Sequence, residues 1–159
     1  MLSRDVRHQD RLAGIEEKLR RAQALTPDLM TEVMAQASVR LAALGPEPAD
    51  RIRSLLACGG TIDAVLALIT IERPRWSLRR LVCDDGEWLC SLSQRPSVPL
   101  EFDDLAEASH PSMALALLLA FIAALRAAPA NERTTSPIAR PRPTPRPTLG
   151  HPICCDNFA

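Results

Sequence analysis

Five cysteines and three histidines are the side chains in this 159-residue sequence best suited to nucleophilic, redox or metal chemistry. Cys83 and Cys90 flank Asp84-Asp85-Gly86-Glu87, His110 follows an acidic stretch that includes Asp103 and Asp104, and Cys154-Cys155 lies near His151. A thiol held beside an imidazole is the basis of thiolate nucleophiles and redox sensors, because the reactive species is the thiolate and a nearby base or positive charge favours it. A histidine beside carboxylates can titrate near neutrality and move protons. The spacings do not develop these possibilities. Neither C-x2-C nor H-x3-H occurs, so the thiols and imidazoles lack the pattern of a zinc site. Phosphate-binding loop, dinucleotide fingerprint, nucleophile elbow and zincin motifs are absent. No residue is therefore assigned a catalytic, cofactor-binding or metal role and no cofactor is implied; Trp88, Cys83, Cys90, His110, Asp103 and Asp104 remain as candidates for contact or thiol chemistry.

The elements that must position these residues are mostly helical. Over residues 4–25, Leu12, Ile15, Leu19 and Ala22 recur at alternating spacings of three and four, with charges between them, the mark of a helix with one apolar stripe. Thr26-Pro27-Asp28 then reads as a helix start, with Thr as N-cap, Pro at the first helical position and an acid in the first turn. Met30, Val33, Met34, Ala37, Leu41 and Leu44 give that helix one face up to Gly45-Pro46, which stops it. A shorter helix with Ile52, Leu55 and Leu56 inward ends at Gly59-Gly60. Thr61 is expected to cap a nearly all-apolar helix through Ile71, which Pro74 ends.

Cys58-Gly59-Gly60-Thr61-Ile62 resembles the Thr-Gly-Gly-Thr turn of bacterial asparaginases. Here Cys58 stands in the place of the nucleophilic Thr and follows a helical pattern, so a helix C-cap followed by an N-cap is the structural reading. The same stretch can be threaded on a helix-turn-helix. Its second helix offers only Asp63 and Thr70 as polar side chains, and a recognition helix needs Arg, Lys, Asn or Gln for base edges.

Asp85-Gly86 is the best-specified local feature. Asp-Gly between two strand-like runs signals a type I′ turn, and the register it sets places Cys83 opposite Trp88 and Leu81 opposite Cys90. One face then carries Leu81, Cys83, Trp88, Cys90 and Leu92; the other carries Leu78, Arg80, Val82 and Leu89. A lone two-stranded hairpin is marginal in water, so this one must lie on helices, and its open edges could pair with a second copy. Residues 101–108 read as a short acidic helix. Ser109-His110-Pro111 then starts a long apolar helix to about residue 128, a buried core helix with Met113, Leu117, Phe121 and Leu125 or their neighbours on its core face. The stretch Trp76-Ser-Leu-Arg-Arg-Leu-Val-Cys-Asp-Asp-Gly-Glu-Trp-Leu-Cys-Ser-Leu-Ser93, followed by acids, His110 and Ala114-Leu-Ala-Leu-Leu-Leu-Ala-Phe121, resembles a small group of bacterial proteins with no assigned activity. That resemblance covers residues 76–127. It implies that hairpin and helix form a unit, and it carries no catalytic residue.

Composition closes other possibilities. Nineteen basic residues balance nineteen acids, which argues against a general nucleic-acid binder, since counterion release needs a net basic surface. The zero is a cancellation. Residues 84–107 hold seven acids against Arg95, a net of −6, while residues 1–25 and 129–159 are each +2. The longest apolar run, residues 113–125, is thirteen residues, short of the roughly 20 of a membrane span. The charged first residues lack a following apolar run, so a cytoplasmic protein with reduced thiols is expected. Seven of the last 31 residues are Pro, which reads as a disordered Pro/Arg-rich tail with no core to bury.

The sequence thus predicts an α+β, mainly helical domain over residues 1–128, with helices packed around one β-hairpin (about 76–93). Residues 1–45 form a helical hairpin, residues 46–128 a hairpin-containing core, and residues 129–159 the tail. It points to a non-catalytic interaction or accessory protein that meets a protein partner or itself, as a possible dimer, without nucleic acid or membrane. The alternative is a small thiol-based sensor or enzyme using Cys83, Cys90 and His110.

Overall fold

The computed structural model describes residues 2–99, 103 and 105–127, which fall within the compact unit Met1–Pro129. The helices are α1 (Leu2–Arg21), α2 (Pro27–Ala37), α3 (Val39–Leu44), α4 (Pro46–Ala57), α5 (Thr61–Glu72) and α6 (Met113–Arg126). The strands β1 (Ser77–Asp84), β2 (Glu87–Ser93) and β3 (Leu105–His110) form one antiparallel sheet in the order β1-β2-β3. No helix among the described residues is long and apolar enough to cross a membrane. Residues 129–159, the expected tail, lie outside the described residues.

The core is built around α6. Every residue of it from Ala114 to Ile122 is buried, as is Ala124. A helix buried on all sides needs cover on all sides, and α6 packs against β2, β3, α1 and α5. Leu117 and Phe121 are enclosed, and so are their neighbours Leu115, Leu118, Leu119 and Ile122. From α1 come Leu12, Ile15 and Leu19; Ala64, Val65, Leu68 and Ile69 come from α5, and Cys90, Leu92 and Ala106 from the sheet.

Three local expectations are corrected. First, the segment read as a short acidic helix and a helix start is a third strand. In β3, Ala106, Ala108 and His110 turn inward while Glu107 and Ser109 are exposed. This period of two wins because it lets the inward residues cover α6. The molecule therefore has a three-stranded sheet in place of a lone hairpin, and α6 begins only after Ser112.

Second, the helix expected over residues 26–44 breaks at Ser38 into α2 and α3. Thr26 does cap α2, its hydroxyl accepting from the Leu29 N–H at 3.2 Å. The break is made by a distant residue. Glu72, at the end of α5 and only 5% exposed, accepts the backbone N–H of Arg40 at 3.1 Å and that of Leu41. These are N–H groups at the start of α3 that would otherwise lack partners, and a carboxylate also suits the positive end of the helix. The apolar face then stops at Leu41, and Leu44 is left exposed. Third, Gly60 is the N-cap of α5, with Thr61 as its first helical residue.

Ion pairs tie the helices together on the outside. Lys18 of α1 meets Glu32 of α2, which also accepts from Gln36 at 2.9 Å. Glu16 of α1 holds Arg20 at 2.7 Å and Arg126 at the end of α6. Arg73 donates to the Leu125 carbonyl at 3.0 Å; burial lowers the pKa of its guanidinium, opposed by the charge of Glu72.

Glu72→Ala should cost about 1–3 kcal/mol, because it strands the buried Leu41 N–H and removes the partner of the half-buried Arg40 N–H. Glu72→Gln, which keeps one acceptor, should lose less. Urea denaturation of both variants checks this; a loss for the alanine variant within about 0.5 kcal/mol, as for a neutral surface change, would contradict the capping role.

Candidate functional site

The candidate residues gather on the sheet, so their geometry follows from strand register. Asp85 and Gly86 both have positive φ (48° and 84°), the backbone of a type I′ turn. Cys83 pairs with Trp88 and Leu81 with Cys90, the register the turn predicts. On the other side, β2 pairs Trp88 with His110, Cys90 with Ala108 and Leu92 with Ala106. The helix-facing side of the sheet thus consists of three rows: Cys83–Trp88–His110, Leu81–Cys90–Ala108 and Leu78–Leu92–Ala106. Leu78 belongs to this side and not to the opposite one, because the register shifts by one residue between Leu78 and Arg80. A bulge of this kind inserts one residue, Arg79, and reverses the facing of what precedes it.

These rows decide what the thiols and imidazole can do. Cys83 and His110 share a row but sit on outer strands, with Trp88 between them. Two strand spacings of about 4.8 Å each separate their backbones, too far for a direct thiol–imidazole hydrogen bond. Cys90 is diagonal to His110, yet it is fully enclosed, and burial pushes its thiol up to about 12. Cys58 and Cys83 are exposed, and all three thiols are free. The His110 ring is itself engaged: its Nδ1 accepts the Ser112 N–H at 2.9 Å. The imidazole therefore links the end of β3 to the N-cap of α6, and with Nδ1 as acceptor the neutral ring carries its proton on Nε2. Beside it lies an open cleft of about 520 Å³, lined by Arg20, Arg21, Gln23, Glu87, Ser109 and His110. No group of three or more His, Cys, Asp or Glu side chains among the described residues is placed to hold a metal.

The acidic stretch divides. Asp103 is an internal structural residue. Its side chain is fully enclosed and forms an ion pair with Arg79, the bulge residue, while the Ser93 hydroxyl donates to the same carboxylate oxygen. Arg79 also donates to the Val98 carbonyl at 2.7 Å, and the Arg95 N–H donates to Ser93 Oγ at 2.9 Å. The knot thus fastens the segment after β2 onto the sheet and covers Ser93. Burial alone would raise the Asp103 pKa. Hydrogen bonds from Ser93 and Arg79, the Arg79 charge and the Arg95 backbone outweigh it and hold the carboxyl below its ordinary value. Its second oxygen, Oδ1, is buried without a hydrogen-bond partner among the described residues. Asp104 lies outside the described residues. Asp84, Asp85 and Glu87 are exposed at the hairpin tip.

The side of the sheet facing away from the helices carries the rows Arg80–Ser91–Glu107 and Val82–Leu89–Ser109. Ser91 is buried between its neighbours and donates to Glu107 at 2.5 Å. Val82, on this side, is 38% exposed; Leu78, on the helix-facing side at the bulge, is 39% exposed. β1 is an edge strand, so the backbone groups on its far side have no strand partner among the described residues. This edge has Val82 at its centre and the acidic tip at its end. Arg79 and Glu72 went unrecognised in the sequence. Arg79 is one of two adjacent arginines in a strand pattern, and Glu72 is a lone acid at a helix end, so each acquires its role only through a residue distant in sequence.

No protein-family model matches the chain, and no curated protein and no solved structure matches it.

Two outcomes follow from this geometry. With its thiol near 12, Cys90 is ionised in roughly one molecule in ten thousand at pH 8. Mass-spectrometric mapping after alkylation of the folded protein should find Cys58 and Cys83 labelled and Cys90 untouched until denaturant is added. Fast labelling of Cys90 in the native state would contradict the burial. Asp103 has a lowered folded pKa, so its stabilisation is present above the unfolded carboxylate value of about 3.9 and is lost as pH falls through the folded value. Asp103→Asn should therefore flatten the loss of stability below pH 4 in denaturation series; unchanged acid slopes would refute the assignment.

Proposed function

We propose that the chain is a non-catalytic interaction protein whose contact surface is the open edge of the sheet, β1, together with the outward face around Val82. The observation that carries this reading is the state of β1. It is a long edge strand with an exposed apolar residue at its centre and no covering element among the described residues. Natural sheets blunt such edges; in this sheet the bulge and Arg79 knot do so only at the Ser77 end, leaving residues 80–84 open. An exposed edge is a standard template for adding a strand from another chain. The acidic tip, Asp84, Asp85 and Glu87, adds a charged rim of the kind that steers encounter and suppresses wrong partners.

The division of the candidate residues supports the same reading. Cys90, Asp103 and His110 are occupied in holding the sheet, its following segment and α6 together. Of the two thiols in the alternative reading only Cys83 is exposed, and Trp88 on β2 stands between it and His110. The proposal extends to a cytoplasmic bacterial setting and to the kinship of residues 76–127 with small bacterial proteins of similar hairpin and helix. Residues 129–159 would serve as a spacer.

Immobilised intact protein and a Cys83→Pro variant, with Cys83→Ser as the control for loss of the thiol, exposed in parallel to extract of the host cell and to the purified chain itself, test this. Position 83 is exposed and its N–H points off the free edge, so proline there removes an outward donor without taking a bond from the β1–β2 ladder. At least one bound protein should be retained by the intact chain and lost with the proline variant. Identical retention by the intact chain and the proline variant would show that the edge is not the contact surface.

A further inference from the structure

We propose that the occupant of the open edge is a second copy of this chain, with β1 pairing antiparallel to β1 of that copy about a two-fold axis at Val82. This rests on the interaction reading above and names its partner.

The backbone selects which residues can bond outward. The two-residue turn closes on the Asp84–Glu87 pair, whose backbone groups face each other. Alternation along an antiparallel ladder then points the N–H and C=O groups of Arg80 and Val82 toward β2, and those of Leu81 and Cys83 away from it. A second strand on the free edge therefore bonds to Leu81 and Cys83. Facing residues must also lie on the same side of the sheet, so a two-fold axis can pass only through a residue, not between two.

Charge then selects the residue. With the axis at Arg80, two arginines face each other; with the axis at Asp84, two aspartates do. With the axis at Leu81, Arg80 faces Val82 and no charge is matched. With the axis at Val82, Arg80 of each copy faces Asp84 of the other, and Val82 meets its own counterpart. In that register Leu81 of one copy exchanges both backbone hydrogen bonds with Cys83 of the other, so the bonding requirement is met as well. Opposite charges directly across strands stabilise and like charges destabilise. Neither Arg80 nor Asp84 has an ion-pair partner among the described residues. Asp84 instead faces another acid, Glu87, across the hairpin, a repulsion that the Arg80 of a second copy would offset.

The ends of the strand fit the same pairing. The register shift between Leu78 and Arg80 halts a regular ladder on one side, and the turn at Asp85-Gly86 halts it on the other, so pairing is confined to residues 80–84. The other edge does not offer this match. Glu107 is the only carboxylate or guanidinium in β3, so no antiparallel self-pairing of that strand matches opposite charges. The result is a closed isologous dimer with a continuous six-stranded sheet, β3-β2-β1-β1-β2-β3, and no further copies can add at β1.

Sedimentation velocity on the intact chain tests this with Arg80→Asp and Asp84→Arg, both at exposed positions. The intact chain should be a dimer at tens of micromolar. Each single variant sets like charge against like and should sediment as a monomer. An equimolar mixture of the two single variants should recover a dimer, because both charge pairs are then opposite; the double variant should also dimerise alone. A monomeric intact chain at these concentrations overturns the self-pairing. An edge-dependent partner captured from extract in that case would leave the interaction reading standing. A dimer indifferent to both single variants, or single variants that fail to pair when mixed, would overturn the register.

Discussion

A helix with no polar side must be surrounded, and most of this fold answers that requirement. From Ala114 to Ile122, α6 presents Leu, Ala, Phe and Ile in every direction. With no Tyr and three Phe in the chain, the cover comes from aliphatic stripes: one face each of α1 and α5, and the inward rows of the sheet. Exposing any side of α6 would return apolar surface to water at about 25 cal/mol per Å². This explains why residues 105–110 become a strand. A two-stranded hairpin alone leaves part of α6 bare, and β3, with small Ala106 and Ala108 turned inward, fills that place at close approach.

The polar residues work around that centre. Glu72 caps α3 and so turns one expected helix into two, bringing Leu41 onto the core. His110 accepts from the N-cap residue of α6, coupling the end of the sheet to the start of the central helix. Arg79, Ser93 and Asp103 fasten the segment that leads from β2 toward β3. The neutral net charge therefore conceals a specific distribution: among the described residues of the central acidic stretch, Asp103 is internal structure, and Asp84, Asp85 and Glu87 at the hairpin tip and Glu107 are exposed.

Much of this was legible in the sequence because it depends on local chemistry. The Asp85-Gly86 turn set the β1–β2 register from Arg80 to the turn, and the Thr26-Pro27 start and Gly45-Pro46 stop placed helix boundaries correctly. The missing parts depend on contacts distant in the chain. Nothing near Ser38 signals a break, because its cause is a carboxylate at residue 72. The segment ending at His110 mixes acids and alanines, which favour helix locally, and its strand form is imposed by pairing with β2. The bulge at Arg79 was likewise hidden, since it is held by Asp103 and Val98. For the candidate site, Cys83 did fall opposite Trp88, but His110 joins that row only through β3, where a helix start was expected. The strand order, with Trp88 in the middle, is what separates thiol from imidazole, and order is not readable from spacing.

Amide hydrogen exchange, resolved residue by residue at low and high protein concentration, tests the central claim that one side of this molecule is closed around α6 and the opposite edge is open. The slowest amides should be those of α6 and of β2, which has a strand on both sides. The Leu81 and Cys83 amides, pointing off the free edge, should exchange fast when dilute and slow markedly on concentration. Protection of Leu81 and Cys83 in the dilute monomer, or α6 amides exchanging as fast as those of α1, would contradict the account.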